Sequence, residues 1–338
     1  MKTRLFAIDI IKIIFALLIF MRHSLSMGGC TYYGFDEIIT NLTGDVMTGF
    51  FIVSGFSLYY VYSEKEINDY TSIINFYKKR ALTILPTYYL VHIIHTVFLE
   101  RNIGMNVKLL PVELLGLQSF FDSLFGYLHN GTTWFVSCII VCYLLYPLLQ
   151  MLVTKMPTKK RIVLLLVLAF MSIYGNYIAA WTGGIGTYSN PVFRFMEFAI
   201  GAIICSFRSK CKNSTAMIAV LISGASIIIL NGYDGLVVRI LTLYAICTLI
   251  YSLSMLRNIT MENSKFLLYL SAITYEFFVL QDFMWSKNEY VNNFILSLNN
   301  NYLRICVSFG ILLCASILVH ELFAKQIQKL KNRFRVNF

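Results

Sequence analysis

The sequence predicts an all-α, polytopic membrane protein with about ten transmembrane helices and both termini in the cytoplasm. Three observations carry this expectation. Of 338 residues, 58% are apolar and only 13% charged, about half the charged share of a soluble domain. Apolar stretches near the length a bilayer core requires recur along the whole chain. Basic residues collect in alternate gaps between those stretches. The composition excludes a pair of soluble domains, which the length alone would allow, and it excludes disorder, whose signature is low hydrophobicity. A net charge of +11 would favour nucleic-acid binding in a soluble chain. Here the lipid bilayer is the expected partner and nucleic acid is not.

The spans follow in order. Residues 5–27 form the first, an apolar run carrying Asp9, Lys12, Arg22 and His23. It lacks a small-residue cleavage site, so it is expected to stay as a helix rather than be removed as a signal peptide. The second, 42–62, holds Asp45 near its start, and the third, 84–100, follows the basic run Lys78-Lys79-Arg80. The fourth, 132–153, opens on Thr132-Thr133-Trp134. The fifth, 162–181, is apolar all round from Ile162 to Phe170, which argues against the alternation of a barrel strand. The sixth, 191–207, meets Arg194 and Glu197 early, and the seventh, 214–231, is almost wholly aliphatic. The eighth, 236–256, opens near Arg239. The ninth, 266–285, carries Glu276, Gln281 and Asp282, and the tenth, 303–324, starts at Arg304. Together they leave one membrane domain over residues 1–338 and no room for a large soluble one.

With the N-terminus inside, 20 of the 28 Lys and Arg residues fall in cytoplasmic segments. An even number of spans then returns the C-terminus to the same side. The eight cysteines form no CxxC pair, and six of them lie within spans, where small packing residues are expected. No spacing for metal ligands occurs. Trp134, Trp181 and Trp285 fall at outer span ends, as interfacial belt residues do.

Ionisable residues within the bilayer are costly and mark candidate sites. Lys12 and His23 are eleven residues apart, three helical turns, so they share a face about 16 Å apart along the axis. Asp9 is placed to pair with Lys12. Level with His23 lie Asp45, Thr132, Thr133, Trp134, Arg194, Glu197, Glu276, Gln281 and Asp282, drawn from four spans. Lys78, Lys79 and Arg80 sit at the opposite, cytoplasmic mouth. A plain alternative accompanies each: Arg22, Arg239 and Arg304 can snorkel, Arg194–Glu197 can be a structural ion pair, and Lys78–Arg80 can be topological anchors.

Six segments in order resemble the acyltransferase 3 family of bacterial integral-membrane acyltransferases. They are Ile8-Asp9-Ile10-Ile11-Lys12 with His23 eleven residues on, Phe50 to Phe56, and Phe76-Tyr77-Lys78-Lys79-Arg80 leading to Pro86. Thr133-Trp134-Phe135, Arg194-Phe195-Met196-Glu197-Phe198 with Gly201, and Ile273 to Gln281 complete the series. The family's usual Arg is Lys12 here, its second Arg after the basic run is Thr83, and its late His is Gln281. The resemblance implies transfer of an acyl group, most often acetyl, from cytoplasmic acetyl-CoA to a hydroxyl of a cell-surface carbohydrate: a polysaccharide, peptidoglycan or a lipid-linked sugar. It implies a bacterial plasma (inner) membrane protein, in the form without a soluble extracytoplasmic domain and with no metal. His23 would be the general base or a transient acyl carrier, helped by Glu197, Lys12 and Asp9. Arg80, Lys78, Lys79 and Lys12 would meet the coenzyme, while Arg194, Asp45, Trp134, Glu276 and Gln281 would face the acceptor. The outer loops 101–131 and 286–302, with Tyr127 and His129, are candidates for a sugar groove. The alternative is a transporter of a small substrate on the same fold.

Overall fold

A computed structural model describes residues 4–99, 103–121, 130–181, 186–209, 211–257, 264–285 and 289–333. Among the described residues every regular element is helical, so the all-α expectation holds. The α-helices are α1 (Phe6–Ser26), α2 (Asp36–Tyr62), α3 (Tyr70–Ile94), α4 (Ile103–Leu114), α5 (Trp134–Lys155), α6 (Thr158–Ile173) and α7 (Gly175–Trp181). They continue as α8 (Pro191–Ser206), α9 (Asn213–Leu230), α10 (Leu236–Met255), α11 (Lys265–Ala272), α12 (Thr274–Trp285), α13 (Glu289–Ser297) and α14 (Asn301–Arg333).

Among the described residues, five helical stretches are long and apolar enough to cross a membrane: Asp36–Tyr62, Gly131–Lys155, Asn213–Leu230, Leu236–Met255 and Asn301–Ala324. They coincide with the second, fourth, seventh, eighth and tenth expected spans. The other five expected spans are helices that depart from a simple span, each for a visible reason. α1 carries Asp9, Lys12 and Arg22, and α3 carries Lys78, Lys79 and Arg80. α6 and α8 have only 16 residues each. The ninth is divided at Ile273 into α11 and α12.

α8 is the centre of the bundle, packed by α2, α5, α6 and α10. Its start is well specified: Pro191 occupies the first turn and the Asn190 side chain accepts from the Val192 backbone N–H. From Met196 to Cys205 every residue is buried. α2 and α8 meet backbone to backbone at two glycines. A Cβ on Gly55 would overlap the Phe198 carbonyl, and one on Gly201 would overlap the Ile52 carbonyl. Small residues permit this approach in an apolar environment, where packing drives helix association. α1 packs on α2, with the Phe15 ring filling the space beside Gly49, and also on α12. α9 packs on α10 and leaves Ile218, Leu221, Ile222 and Ile229 exposed, an outward apolar face.

Two sequence expectations are corrected here. Trp134 and Trp285 are buried, 6% and 1% exposed, so they pack inside the bundle rather than in an interfacial belt. Arg304 does not snorkel. Its guanidinium donates to the carbonyls of Leu298, Leu296 and Gly29, capping α13 and holding the loop after α1. Cys138, Cys142 and Cys205 pack in the core, whereas Cys306 and Cys314 are exposed, and no disulfide occurs among the described residues. In the loop after α1, burial pushes the Cys30 thiol up, as befits a packing residue rather than a reactive one.

Candidate active site

His23 lies in the last two turns of α1, and its Nδ1 is 2.7 Å from Gln281 Oε1 on α12. A carboxamide oxygen only accepts, so Nδ1 carries the hydrogen, and in the neutral ring Nε2 then keeps its lone pair. Gln281 is fully buried, and its Nε2 has no hydrogen-bond partner among the described residues. The register that aims Gln281 at His23 is fixed by the turn before α5. Asn130 Nδ2 and Thr132 Oγ1 donate to the Val279 carbonyl at 3.0 and 3.1 Å, and the Gly131 N–H donates to the Asp282 carboxylate at 2.5 Å. Phe20, one turn before His23, packs on Phe277 and Trp285, with ring centroids 5.9 and 5.4 Å apart.

At the same end of the bundle, α2, α8 and α10 with the segments around Asn176 and Tyr188 enclose a cavity of about 680 Å3. Asp45, Thr48, Tyr188, Arg194 and Glu197 line it. Arg194 Nη1 is 2.7 Å from Glu197 Oε2, both side chains being buried. Thr48 Oγ1 donates to Glu197 Oε1 at 2.8 Å and accepts from Arg194 Nη1 at 3.3 Å, while Arg194 Nε donates to the Tyr188 carbonyl at 2.8 Å. The guanidinium is framed by the rings of Phe51, Trp134 and Tyr188 at 5.3–5.7 Å. Removing one member of such a pair leaves a buried charge uncompensated. Arg194→Leu is therefore expected to cost about 3–5 kcal/mol of stability, and Arg194→Met with Glu197→Leu markedly less. Thermal unfolding in detergent checks both.

The opposite end holds a second cavity of about 700 Å3 between the start of α1, the end of α2 and the start of α3. Its lining carries four cations, Arg4, Lys12, Lys65 and Lys79, and three carboxylates, Asp9, Glu64 and Glu66. Asp9 organises two of the cations, with Arg4 Nε at 2.5 Å and Lys12 Nζ at 3.7 Å, and it accepts from Ser271 Oγ at 3.1 Å. α3 begins beside this cavity on a reciprocal cap between Asp69 and Ser72. The bonds from Ser72 hold the exposed Asp69 carboxyl below its usual range. Arg80 points elsewhere, over the rings of Phe76 and Tyr143 at 5.7 and 5.6 Å, and Lys78 is exposed.

Between the two cavities lies a layer of rings. On α2, Phe50 and Phe51 stand between Thr48 in the one lining and Ser57 in the other. On α1, Phe15 stands between Lys12 and His23. These rings join Phe135 and Phe278 in a cluster with centroids 5.0–6.4 Å apart. His23 and Gln281 line neither cavity.

The structure thus brings together His23 with Gln281, Asp45 with Arg194 and Glu197, Trp134 with Arg194, and Asp9 with Lys12. It separates Glu276 from the rest: its carboxylate is 3.2 Å from His320 Nδ1 on α14. Neither Glu197 nor Glu276 orients the imidazole; Gln281 does. Thr48, Tyr188, Arg4 and Lys65 belong to the two cavities although sequence reasoning did not name them as site residues. Arg4 and Lys65 counted only toward topology, where a ligand and an anchor look alike. Tyr127 and His129 lie outside the described residues. Among the described residues no group of three or more His, Cys, Asp or Glu is placed to hold a metal ion.

A family model described as an acyltransferase domain, that of the acyltransferase 3 family, matches residues 5–321. No curated protein and no solved structure matches the chain. The match covers every helix described above from the start of α1 into α14, and with it His23, Gln281 and both cavities. The chain belongs to the acyltransferase 3 family, and with it to the membrane-embedded acyltransferases.

Proposed function

We propose that the protein moves acetyl from acetyl-CoA to a hydroxyl of a carbohydrate on the far side of a bacterial inner membrane, with His23 as general base. The observation that carries this is the position of His23: an imidazole whose Nδ1 is held by Gln281, on a helix whose other end lines a cavity carrying Arg4, Lys12, Lys65 and Lys79. In this reading ten helical segments cross or enter the bilayer, with both termini in the cytoplasm. Membrane entry costs α1 and α3 their charged residues unless these face the protein interior or a wet cavity. Asp9 and Lys12 do so. Neighbouring helices, not lipid, cover much of the short α8, and α6 is followed after the turn at Tyr174 by α7.

The coenzyme's phosphates are anions that stay on the cytoplasmic side, and Lys12, Lys79, Lys65 and Arg4 supply charge for them. Arg80 and Lys78 add to the field there, and Arg80 also fastens α3 to α5 through Tyr143. The thioester arm passes the ring layer to reach His23. The acceptor enters from the other end, where the polar cavity with Asp45, Arg194, Glu197 and Tyr188 suits a hydroxyl-rich ligand. In the reaction, His23 Nε2 takes the hydroxyl proton as the acceptor oxygen attacks the thioester carbonyl carbon. The C–S bond breaks, and the proton returns to the departing CoA sulfur. A covalent variant, in which His23 takes the acetyl first, uses the same atoms.

Lys12→Met is expected to raise the KM for acetyl-CoA about tenfold with kcat within a factor of three, because it touches the coenzyme and not the reacting carbon. Steady-state release of free CoA thiol measures both constants. An unchanged KM would remove the Lys12 cavity from the donor site.

A second reading, transport of a small substrate, is favoured by one feature. The fifth and ninth expected spans are interrupted, at Tyr174 between α6 and α7 and at Ile273 between α11 and α12, and discontinuous helices mark transporter sites. Acetyl-CoA-dependent acylation of an acceptor in membranes separates the two, since a transporter moves its substrate without forming an ester.

A further inference from the structure

Gln281 has more capacity than its bond to His23 uses. The side chain is fully buried, its oxygen is committed to the imidazole at 2.7 Å, and its amide nitrogen has no partner among the described residues. A buried N–H without a partner forfeits the bond water would have given it, at a cost of about 1–3 kcal/mol. Such a group is expected to meet an acceptor in some state of the protein. The Val279 carbonyl takes Asn130 and Thr132, and one Asp282 oxygen takes Gly131. These same bonds fasten α12 to the turn before α5, and the bond to His23 sets the orientation of the Gln281 amide. The one acceptor that the proposed reaction brings to this spot is the thioester carbonyl oxygen, since the carbon it is bonded to must lie beside His23.

We propose that Gln281 Nε2–H is the donor to the thioester carbonyl, and to the oxyanion that it becomes, while Gln281 Oε1 sets the tautomer of the base. This rests on the reading of His23 given above. As the acceptor oxygen bonds to the carbonyl carbon, the C=O π pair moves onto oxygen and the hydroxyl proton passes to His23 Nε2. When the pair returns, the C–S bond breaks and the sulfur takes the proton from His23. The negative charge exists only between these events, so a fixed donor aimed at it favours the transition state over the bound thioester. One carboxamide thereby performs both tasks, with its two ends facing the base and the reacting carbonyl.

Gln281→Glu separates the tasks, because it is nearly isosteric, keeps an oxygen toward His23 Nδ1 and removes the donor. The expected result is a kcat lower by about 10²–10³-fold at that variant's own best pH, with the KM for acetyl-CoA within a factor of three. Its kcat profile should also move to higher pH, because a carboxylate beside the ring favours the imidazolium. A kcat within threefold of the parent at the shifted optimum would overturn the donor role and leave Gln281 a positioning residue only. The wild-type protein gives a second readout that needs no variant. With a non-transferable analogue in which a methylene replaces the thioester sulfur, the labelled carbonyl stretch should fall below its value in an apolar solvent. An unshifted stretch would overturn the proposal even if Gln281→Glu failed to fold. Failure of the underlying reading is distinguishable, since His23→Ala would then retain acyl transfer whatever Gln281 does.

Discussion

His23→Ala is expected to lower acyl transfer by about 10³-fold or more, with acetyl-CoA binding retained. Base catalysis by a positioned side chain contributes about 10²–10⁴-fold, and the loss of the ring also frees Gln281 Oε1. The imidazole occupies no part of the lining of the Lys12 cavity, so the coenzyme's phosphates should bind as before. The paired measurement is the rate of ester formation in purified membranes beside equilibrium binding of acetyl-CoA. His23→Gln should resemble His23→Ala in rate, because an amide restores size without a basic nitrogen. Activity at the parent level in either variant would remove His23 from the reaction.

Gly201→Leu is expected to abolish accumulation of folded protein. Among the described residues the α2–α8 contact is the most extensive between helices, and at this point it has no room for a side chain on either helix. The overlap is with backbone: the Ile52 carbonyl and the Phe56 nitrogen face Gly201, and the Phe198 carbonyl faces Gly55. Backbone in a helix cannot step aside as a flexible side chain would, so the helices must part. Separation would take Glu197 from Thr48 and open the polar cavity. Gly224, which has open space around it, supplies the control: Gly224→Leu should accumulate normally and gain apolar surface on α9. Size-exclusion profiles in detergent compare the two. A monodisperse Gly201→Leu protein would contradict the packing described here.

Much of the helical order was legible in composition and charge, and the failures have local causes. α2, α5, α9, α10 and α14 are long and apolar, and they stand out in any hydropathy reading. α8 is short and carries a buried ion pair, yet it lies at the centre because α2, α5, α6 and α10 surround it. Nothing in its own residues shows that. The interruption at Ile273 has no Gly or Pro to announce it. In the site, depth placed His23 and Gln281 at one level, but depth alone does not give rotation. Glu276 precedes Gln281 by five residues, which turns it about 140° around the helix and lowers it about 7.5 Å. It therefore meets His320 instead of His23. The same limit applies to Lys78, Lys79 and Arg80. Successive residues differ by 100°, and only Lys79 of the three lines the cavity.

In the proposed reaction, donor and acceptor approach from opposite ends and meet at His23. Sealed membrane vesicles of known orientation, containing the protein and its carbohydrate acceptor, test this with radiolabelled acetyl-CoA supplied to one face at a time. Label should enter the acceptor only when the coenzyme is on the face bearing the Lys12 cavity, and His23→Ala vesicles should stay unlabelled. Incorporation from the other face, or equal incorporation with His23→Ala, would contradict the account.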